Sequence, residues 1–223
     1  MKSLIKGVHH FQQNVFSSHQ TLFQRLAQGQ EPQALFITCS DSRINPNLIT
    51  HTEPGELFIL RNAGNIVPPY GVSQGGEAPT IEFAVAGLGV KHVIVCGHTL
   101  CGAVNGLFDP TKLAKMPIVA EWLRFAETTR RVVTEYYKDL SEEELITVAT
   151  QENVLAQVEN LETHPSIAVG LVRGNLKLHA WIYKIETGEV FAYSPEEGQF
   201  LPLAEQTVTD TRFIRSNRSV QSI

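Results

Sequence analysis

Phe36-Ile37-Thr38-Cys39-Ser40-Asp41-Ser42-Arg43 is the stretch on which the fold turns. The run Ala34-Leu35-Phe36-Ile37-Thr38 is apolar without alternation, the pattern of a strand buried on both faces of a parallel sheet. A chain leaving such a strand turns at the rim where open α/β sheets place their ligands. Cys39 stands at that rim, with an acid and a base, Asp41 and Arg43, directly behind it. A lone cysteine there is a buried filler, a nucleophile or a metal ligand, and this stretch by itself leaves all three open.

His92-Val93-Ile94-Val95-Cys96-Gly97-His98-Thr99-Leu100-Cys101 repeats the pattern. His98 and Cys101 leave the C-terminal end of a second buried strand as Cys39 leaves the first, and His-x-x-Cys is short enough to come from one turn. Two thiols and an imidazole can then converge. A Cys₂His set suits zinc in tetrahedral geometry and leaves the fourth position open, as a catalytic zinc requires. Asp41 and Arg43 read either as a structural ion pair or as a pair placed at the rim for chemistry. Cys96 lies inside the apolar run and reads as a packed thiol, although its two-residue offset from His98 keeps a ligand role in view. His9, His10, His19, His51, His92, His164 and His179 have no second ligand at a telling interval and read as surface or hydrogen-bonded histidines.

Outward from these two strands, Glu56-Leu57-Phe58-Ile59-Leu60-Arg61-Asn62 is a further strand and 62–71 is turn chemistry. Ile81, Ala84, Val85 and Leu88 recur at helical spacing. The order strand, loop, strand, helix, strand places the chain in the α/β class, with a central, mainly parallel sheet flanked by helices. Helices are expected over 101–108, 118–137 and 141–161, the last opened by the capping box Ser141-Glu142-Glu143-Glu144. Residues 177–185 and 190–194 read as two strands joined at Glu186-Thr187-Gly188-Glu189, a hairpin giving an antiparallel edge strand. Ahead of the sheet, Ile5, Val8, Phe11 and Val15, then Leu22, Phe23, Leu26 and Ala27, form two amphipathic helices. The expected division is a helical arm over 1–30 that packs on a partner subunit, a domain over 31–202 and a tail over 203–223.

Composition narrows the partners. The 223 residues are 43% apolar, enough for a sizeable core, and the formal charge of −5 comes with no block of lysines and arginines. Nucleic acid and anionic membrane are thus not expected, and neither a secretory leader nor an apolar run of membrane-spanning length is visible. The expectation is a soluble cytoplasmic protein. Three cysteines are too few and too oddly spaced for a disulfide framework.

Together, Cys39-Ser40-Asp41-Ser42-Arg43, Arg61-Asn62-Ala63-Gly64-Asn65 and Gly97-His98-Thr99-Leu100-Cys101-Gly102 resemble the signature of the β-class carbonic anhydrases, over roughly residues 3–202. The likeness is nearest to the cyanobacterial, carboxysome-associated members. It implies zinc (Zn2+) on Cys39, His98 and Cys101, with Asp41 and Arg43 as the catalytic pair, and reversible hydration of CO2 to bicarbonate and a proton. It implies a substrate pocket across a dimer interface, carried over to Gln30, Phe58, Ala63, Phe83 and the backbone N–H of Gly102. Phe83 stands where plant relatives have tyrosine, so a hydroxyl is missing. It also implies a homodimer or a dimer of dimers, and a carboxysome scaffold protein as a candidate partner, with the carboxysome as a location within the cytoplasm. The short tail leaves that partnership open.

Two thiolates cancel the charge of the ion, so its bound water is expected to have a pKa above the value of about 7 reached with three histidines, and activity is expected to rise toward alkaline pH. Asp41, kept ionised by Arg43, would orient the attacking hydroxide. Some family members close the site by putting this aspartate on zinc, with bicarbonate in a second site that uses a tryptophan three residues before the first cysteine. Phe36 occupies that place here, so the switch is expected to be absent and the resting site open. The alternatives are hydrolysis of carbonyl sulfide or carbon disulfide on the same fold, and a zinc-bound assembly protein without turnover. Zinc nucleobase deamination requires His-x-Glu, and Leu100 stands where the glutamate belongs. Thiol redox chemistry lacks a Cys-x-x-Cys.

Overall fold

The structure, a computed structural model, describes residues 1–203. The chain forms two compact units, Met1–Glu31 and the remainder from Pro32. In the second unit six strands make one sheet: β1 (Ala34–Cys39), β2 (Leu57–Asn62), β3 (His92–His98), β4 (Lys177–Tyr183), β5 (Val190–Ser194) and β6 (Gln199–Pro202). Their order is β2-β1-β3-β4-β5-β6, with the first four parallel and the last two pairings antiparallel. From β1 the chain steps to β2 on one side, and from β3 it steps to β4 on the other. The C-terminal ends of β1 and β3 therefore flank a topological switch point, the place where open α/β sheets form a crevice.

The helices are α1 (Lys2–His10), α2 (Phe16–Ser18), α3 (Gln20–Leu26), α4 (Pro46–Thr50), α5 (Glu77–Glu82), α6 (Gly102–Phe108), α7 (Pro117–Trp122), α8 (Glu127–Tyr136), α9 (Glu142–Glu162) and α10 (Pro165–Val172). Leu35, Ile37, Val93, Val95, Leu178 and Ile182 share one core with Val154, Leu155, Val158 and Leu161 of α9. Phe36, Ile94 and Cys96 line the opposite face beneath Ile44, Ile49 and Trp181. β3 and α9 approach closely: a Cβ on Gly97 would lie 2.7 Å from Val154 Cγ2 and 3.2 Å from Thr150 Cγ2. The capping box forms as expected, Ser141 N–H donating to Glu144 Oε2 at 2.9 Å and Ser141 Oγ accepting from Glu144 N–H.

Three features depart from the sequence expectation. The helix expected over 118–137 is α7 and α8 joined by a 3₁₀ stretch, Leu123–Ala126, whose tighter repeat sets Leu123 and Ala126 on one buried line. β6 adds a strand beyond the expected hairpin; it is short, ends at a proline, and packs Phe200 on Tyr193 with ring centroids 5.3 Å apart. α10 begins with Pro165 at its first turn in a uniformly apolar segment that shows no helical periodicity. In the first unit, Phe11, Phe16 and Phe23 meet, with Phe16 and Phe23 stacked at 5.3 Å, while α1 buries none of its residues. The tail from 204 to 223 lies outside the described residues. No helix among the described residues is long and apolar enough to cross a membrane.

Candidate functional site

Cys39 is the last residue of β1, His98 the last of β3, and Cys101 the N-cap of α6. All three are buried, and their ligand atoms lie within 4.8 Å of one another. The two sulfurs are 3.9 Å apart and form no disulfide. Two sulfurs bound to one tetrahedral zinc, each at about 2.3 Å, would be separated by about 3.8 Å. His98 is fully buried, with Nδ1 2.8 Å from the Thr99 carbonyl. That carbonyl can only accept, so Nδ1 carries the proton and Nε2 presents its lone pair. Nε2 has no hydrogen-bond partner among the described residues. A buried acceptor without a partner is costly, and a cation held with the two sulfurs would satisfy it.

The sulfurs are supported from several elements. Gly64 N–H donates to Cys39 Sγ at 3.4 Å. Gly64 holds φ +79°, and a Cβ there would come 3.1 Å from Ala103 Cβ, so glycine suits both the turn and the close approach. The neighbouring Cys101 thiol, with the Gly64 and Asp41 amides, pulls Cys39 down to about 4 against the upward push of burial. The same pair interaction, then burial, raises Cys101. Each of two close thiols opposes ionisation of the other, and a divalent cation would let both ionise.

Asp41 sits at the rim, Oδ2 3.8 Å from His98 Nε2. Arg43 takes both carboxylate oxygens, Nε to Oδ1 at 2.9 Å and Nη2 to Oδ2 at 2.7 Å, and its backbone N–H also donates to Oδ1. These bonds hold the Asp41 carboxyl well below the usual carboxylate range. Arg43 Nη2 also donates to the Leu100 carbonyl at 3.1 Å. Leu100 has φ +57°, a left-handed conformation that costs a non-glycine residue about 1 kcal/mol and turns the chain between His98 and Cys101.

Sequence reasoning missed the frame behind these residues. Arg61 donates to the carbonyls of Cys39, Asp41 and Ile44, clamping the loop after β1. Asn62 closes its own loop by binding both N–H and C=O of Ile66. On α9, Asn153 Nδ2 holds the Gly64 carbonyl, Gln157 Oε1 accepts from Val67 N–H, and Asn160 Nδ2 donates to Val67 O. Asn153, Gln157 and Asn160 follow i, i+4, i+7, a polar stripe on one helical face that was the available signal.

Phe58 on β2 and Phe83 come together, ring centroids 5.9 Å apart, with Phe83 51% exposed. Phe83 opens a π-helical stretch after α5. The Ala63 carbonyl accepts from the Trp122 indole at 2.9 Å. Gly102 opens α6, where first-turn amides have no intrahelical acceptor. Gln30 belongs to the first unit and is exposed there. Cys96 is outside the cluster: it packs beside Phe36 and Ile94, and burial pushes its thiol up to about 12. His164 bonds the Pro68 carbonyl, and His92 and His179 pair across β3 and β4 at 3.0 Å, a cross-strand partnership that linear spacing does not reveal.

A family model described as carbonic anhydrase matches residues 34–190. Among solved structures, the β-carbonic anhydrase CcaA superposes with a TM-score of 0.89 at 50% identity, covering 91% of this chain and 99% of that one. The chain is a β-class carbonic anhydrase. The β-carbonic anhydrase is 52% identical over 194 residues to the carbonic anhydrase of Synechocystis sp., covering 86% of this chain and 71% of that protein. It is 44% identical over 205 residues to the carbonic anhydrase of Pseudomonas aeruginosa, covering 92% and 93%. Two Sordaria macrospora structures titled tetrameric β-carbonic anhydrases are represented by a chain with a TM-score of 0.78 and 28% identity, covering 91% of this chain and 98% of that one. The enzyme is thus a carbonate dehydratase, similar in sequence to cyanobacterial carbonic anhydrases, and its fold, a mainly parallel sheet with antiparallel edge strands, matches that of a solved β-carbonic anhydrase.

Proposed function

We propose that this enzyme hydrates CO2 reversibly to bicarbonate and a proton with zinc held by Cys39 Sγ, His98 Nε2 and Cys101 Sγ. The observation that carries the proposal is the orphaned, fully buried Nε2 facing two sulfurs that are 3.9 Å apart. When bound, zinc would supply an acidified water as the nucleophile toward CO2. Asp41 would accept a hydrogen bond from that nucleophile and orient it, a positioning role that needs the carboxylate ionised and fixed. Arg43 supplies both conditions through its two bonds to Asp41. With both oxygens committed to Arg43, Asp41 would be held off the metal, as an open resting site requires. Phe36, buried and edge-on to Trp181 with ring centroids 6.1 Å apart, has no donor for a second bicarbonate site.

Phe58, Ala63 and Phe83 form the apolar side of the substrate pocket, Gly102 N–H offers a donor, and Gln30 donates from a neighbouring copy. The exposed apolar residues of α1, Leu4, Ile5 and Val8, support an arm that docks on a second subunit, in a dimer or a dimer of dimers. A scaffold contact in a carboxysome would fall to the tail. The test is stopped-flow CO2 hydration across pH on protein of measured zinc content. One zinc per chain and a rate rising toward alkaline pH support the proposal; metal without CO2 turnover, or turnover of carbonyl sulfide in its place, overturns it.

A further inference from the structure

Thr99 stands between the two ligands that β3 delivers, and its polar groups join the His98 ring to the chain leaving β4. Its N–H donates to the Tyr183 carbonyl at 3.0 Å, extending the β3–β4 ladder. Its hydroxyl oxygen accepts from Ile185 N–H at 3.0 Å and donates to Glu186 Oε2 at 2.6 Å. Its carbonyl is the acceptor for His98 Nδ1. Glu186 lies in a tight turn closed by Gly188 N–H to Lys184 O at 2.8 Å and Lys184 N–H to Glu189 O at 2.9 Å.

We propose that Thr99 and Glu186 are a positioning pair that fixes the ring orientation and tautomer of His98, and so sets how tightly the ion is held. The inference rests on Cys39, His98 and Cys101 being the metal site. The Thr99 carbonyl belongs to the peptide preceding Leu100, the residue in the left-handed conformation. That peptide is pinned on one side by Arg43 on the Leu100 carbonyl and on the other by the Thr99 side chain on Ile185 and Glu186. Loss of the second anchor leaves Leu100 free to relax and swings the acceptor away from Nδ1. Partners of this kind behind a ligating histidine determine which nitrogen faces the metal and how basic it is. The hydroxyl-to-carboxylate bond is charge-assisted, and Thr99 holds the Glu186 carboxyl below its ordinary range, as a committed acceptor would be.

The experiment transfers zinc from the holoenzyme to an excess of a coloured chelator at fixed pH, and reads the His98 tautomer from imidazole ¹⁵N shifts. Thr99→Val keeps the shape and removes both side-chain bonds; Glu186→Ala removes the acceptor from an exposed turn and provides the second route if the first variant folds poorly. Each is expected to release zinc about ten-fold or more faster than wild type. Thr99→Ser and Glu186→Gln, which keep the bond, are expected near the wild-type rate, and the double variant no faster than the quicker single one. Release from Thr99→Val and Glu186→Ala at the wild-type rate, with an unchanged tautomer, overturns the pair alone. Wild type with no stoichiometric zinc overturns the metal site beneath it.

Discussion

Asp41 has two positive partners to choose from: the Arg43 guanidinium that holds both its oxygens, and the ion expected at His98 Nε2, 3.8 Å from Oδ2. Arg43→Ala removes the first. The expected outcome is a fall in kcat/KM of about 100-fold, the scale of a misplaced reacting group, with zinc content unchanged; stopped-flow rates beside metal analysis decide it, and an unaltered rate removes Arg43 from the mechanism. The pH dependence follows from the same bonds. Asp41 is depressed by folding, so its contribution to stability is present above the unfolded value of about 4 and drains as pH falls through the folded one. Between pH 5 and 9 it stays ionised, so an alkaline rise in wild-type rate must come from another group; a step at acidic pH that shifts upward in Arg43→Ala would be Asp41. Cys39, His98 and Cys101 were legible at this scale because each ends or follows an unbroken apolar run. Arg61 was not, since its function is to bind three backbone carbonyls that no residue pattern encodes.

At the scale of elements, the site depends on how β3 and the turn after β2 meet α9. Gly97→Ala would drive a methyl into Val154 and Thr150, neighbours fixed within the core. Overpacking of this sort costs about 1–3 kcal/mol, and thermal unfolding should fall by several degrees; an unchanged melting temperature would mean that β3 and α9 part easily. Asn153→Leu leaves the Gly64 carbonyl and Gln157 without their partner. A loss of about 1–3 kcal/mol in denaturant unfolding is expected, together with weaker zinc retention, because Gly64 also donates to Cys39. Full stability in this variant would show that the loop stands without α9. β1 and β3 were readable from their buried runs and the start of α9 from its cap. β6 and α10 were not, because a four-residue strand ending in proline and an evenly apolar helix carry no periodic signal.

For the whole molecule, the first unit leaves apolar residues of α1 in solvent, Leu4 at 66% and Val8 at 55% exposure, although its three phenylalanines meet one another. A second subunit is the expected cover. Ile5→Asp with Val8→Asp should shift the assembly toward smaller species in analytical ultracentrifugation and lower the rate at low enzyme concentration, since the proposed reach of Gln30 into a neighbour's pocket would be lost. A distribution equal to that of wild type would remove the arm from assembly. Fold class was legible at this scale, whereas the number of subunits depends on surfaces whose partners no single chain contains. The centre of the account is an ion on two thiolates and one imidazole with Asp41 held away from it. Its most direct test is a crystal structure at mildly alkaline pH with anomalous diffraction at the zinc edge. The account predicts one peak bonded to Cys39, His98 and Cys101, with the Asp41 carboxylate still on Arg43; no peak there, or an Asp41 oxygen as the fourth ligand, contradicts it.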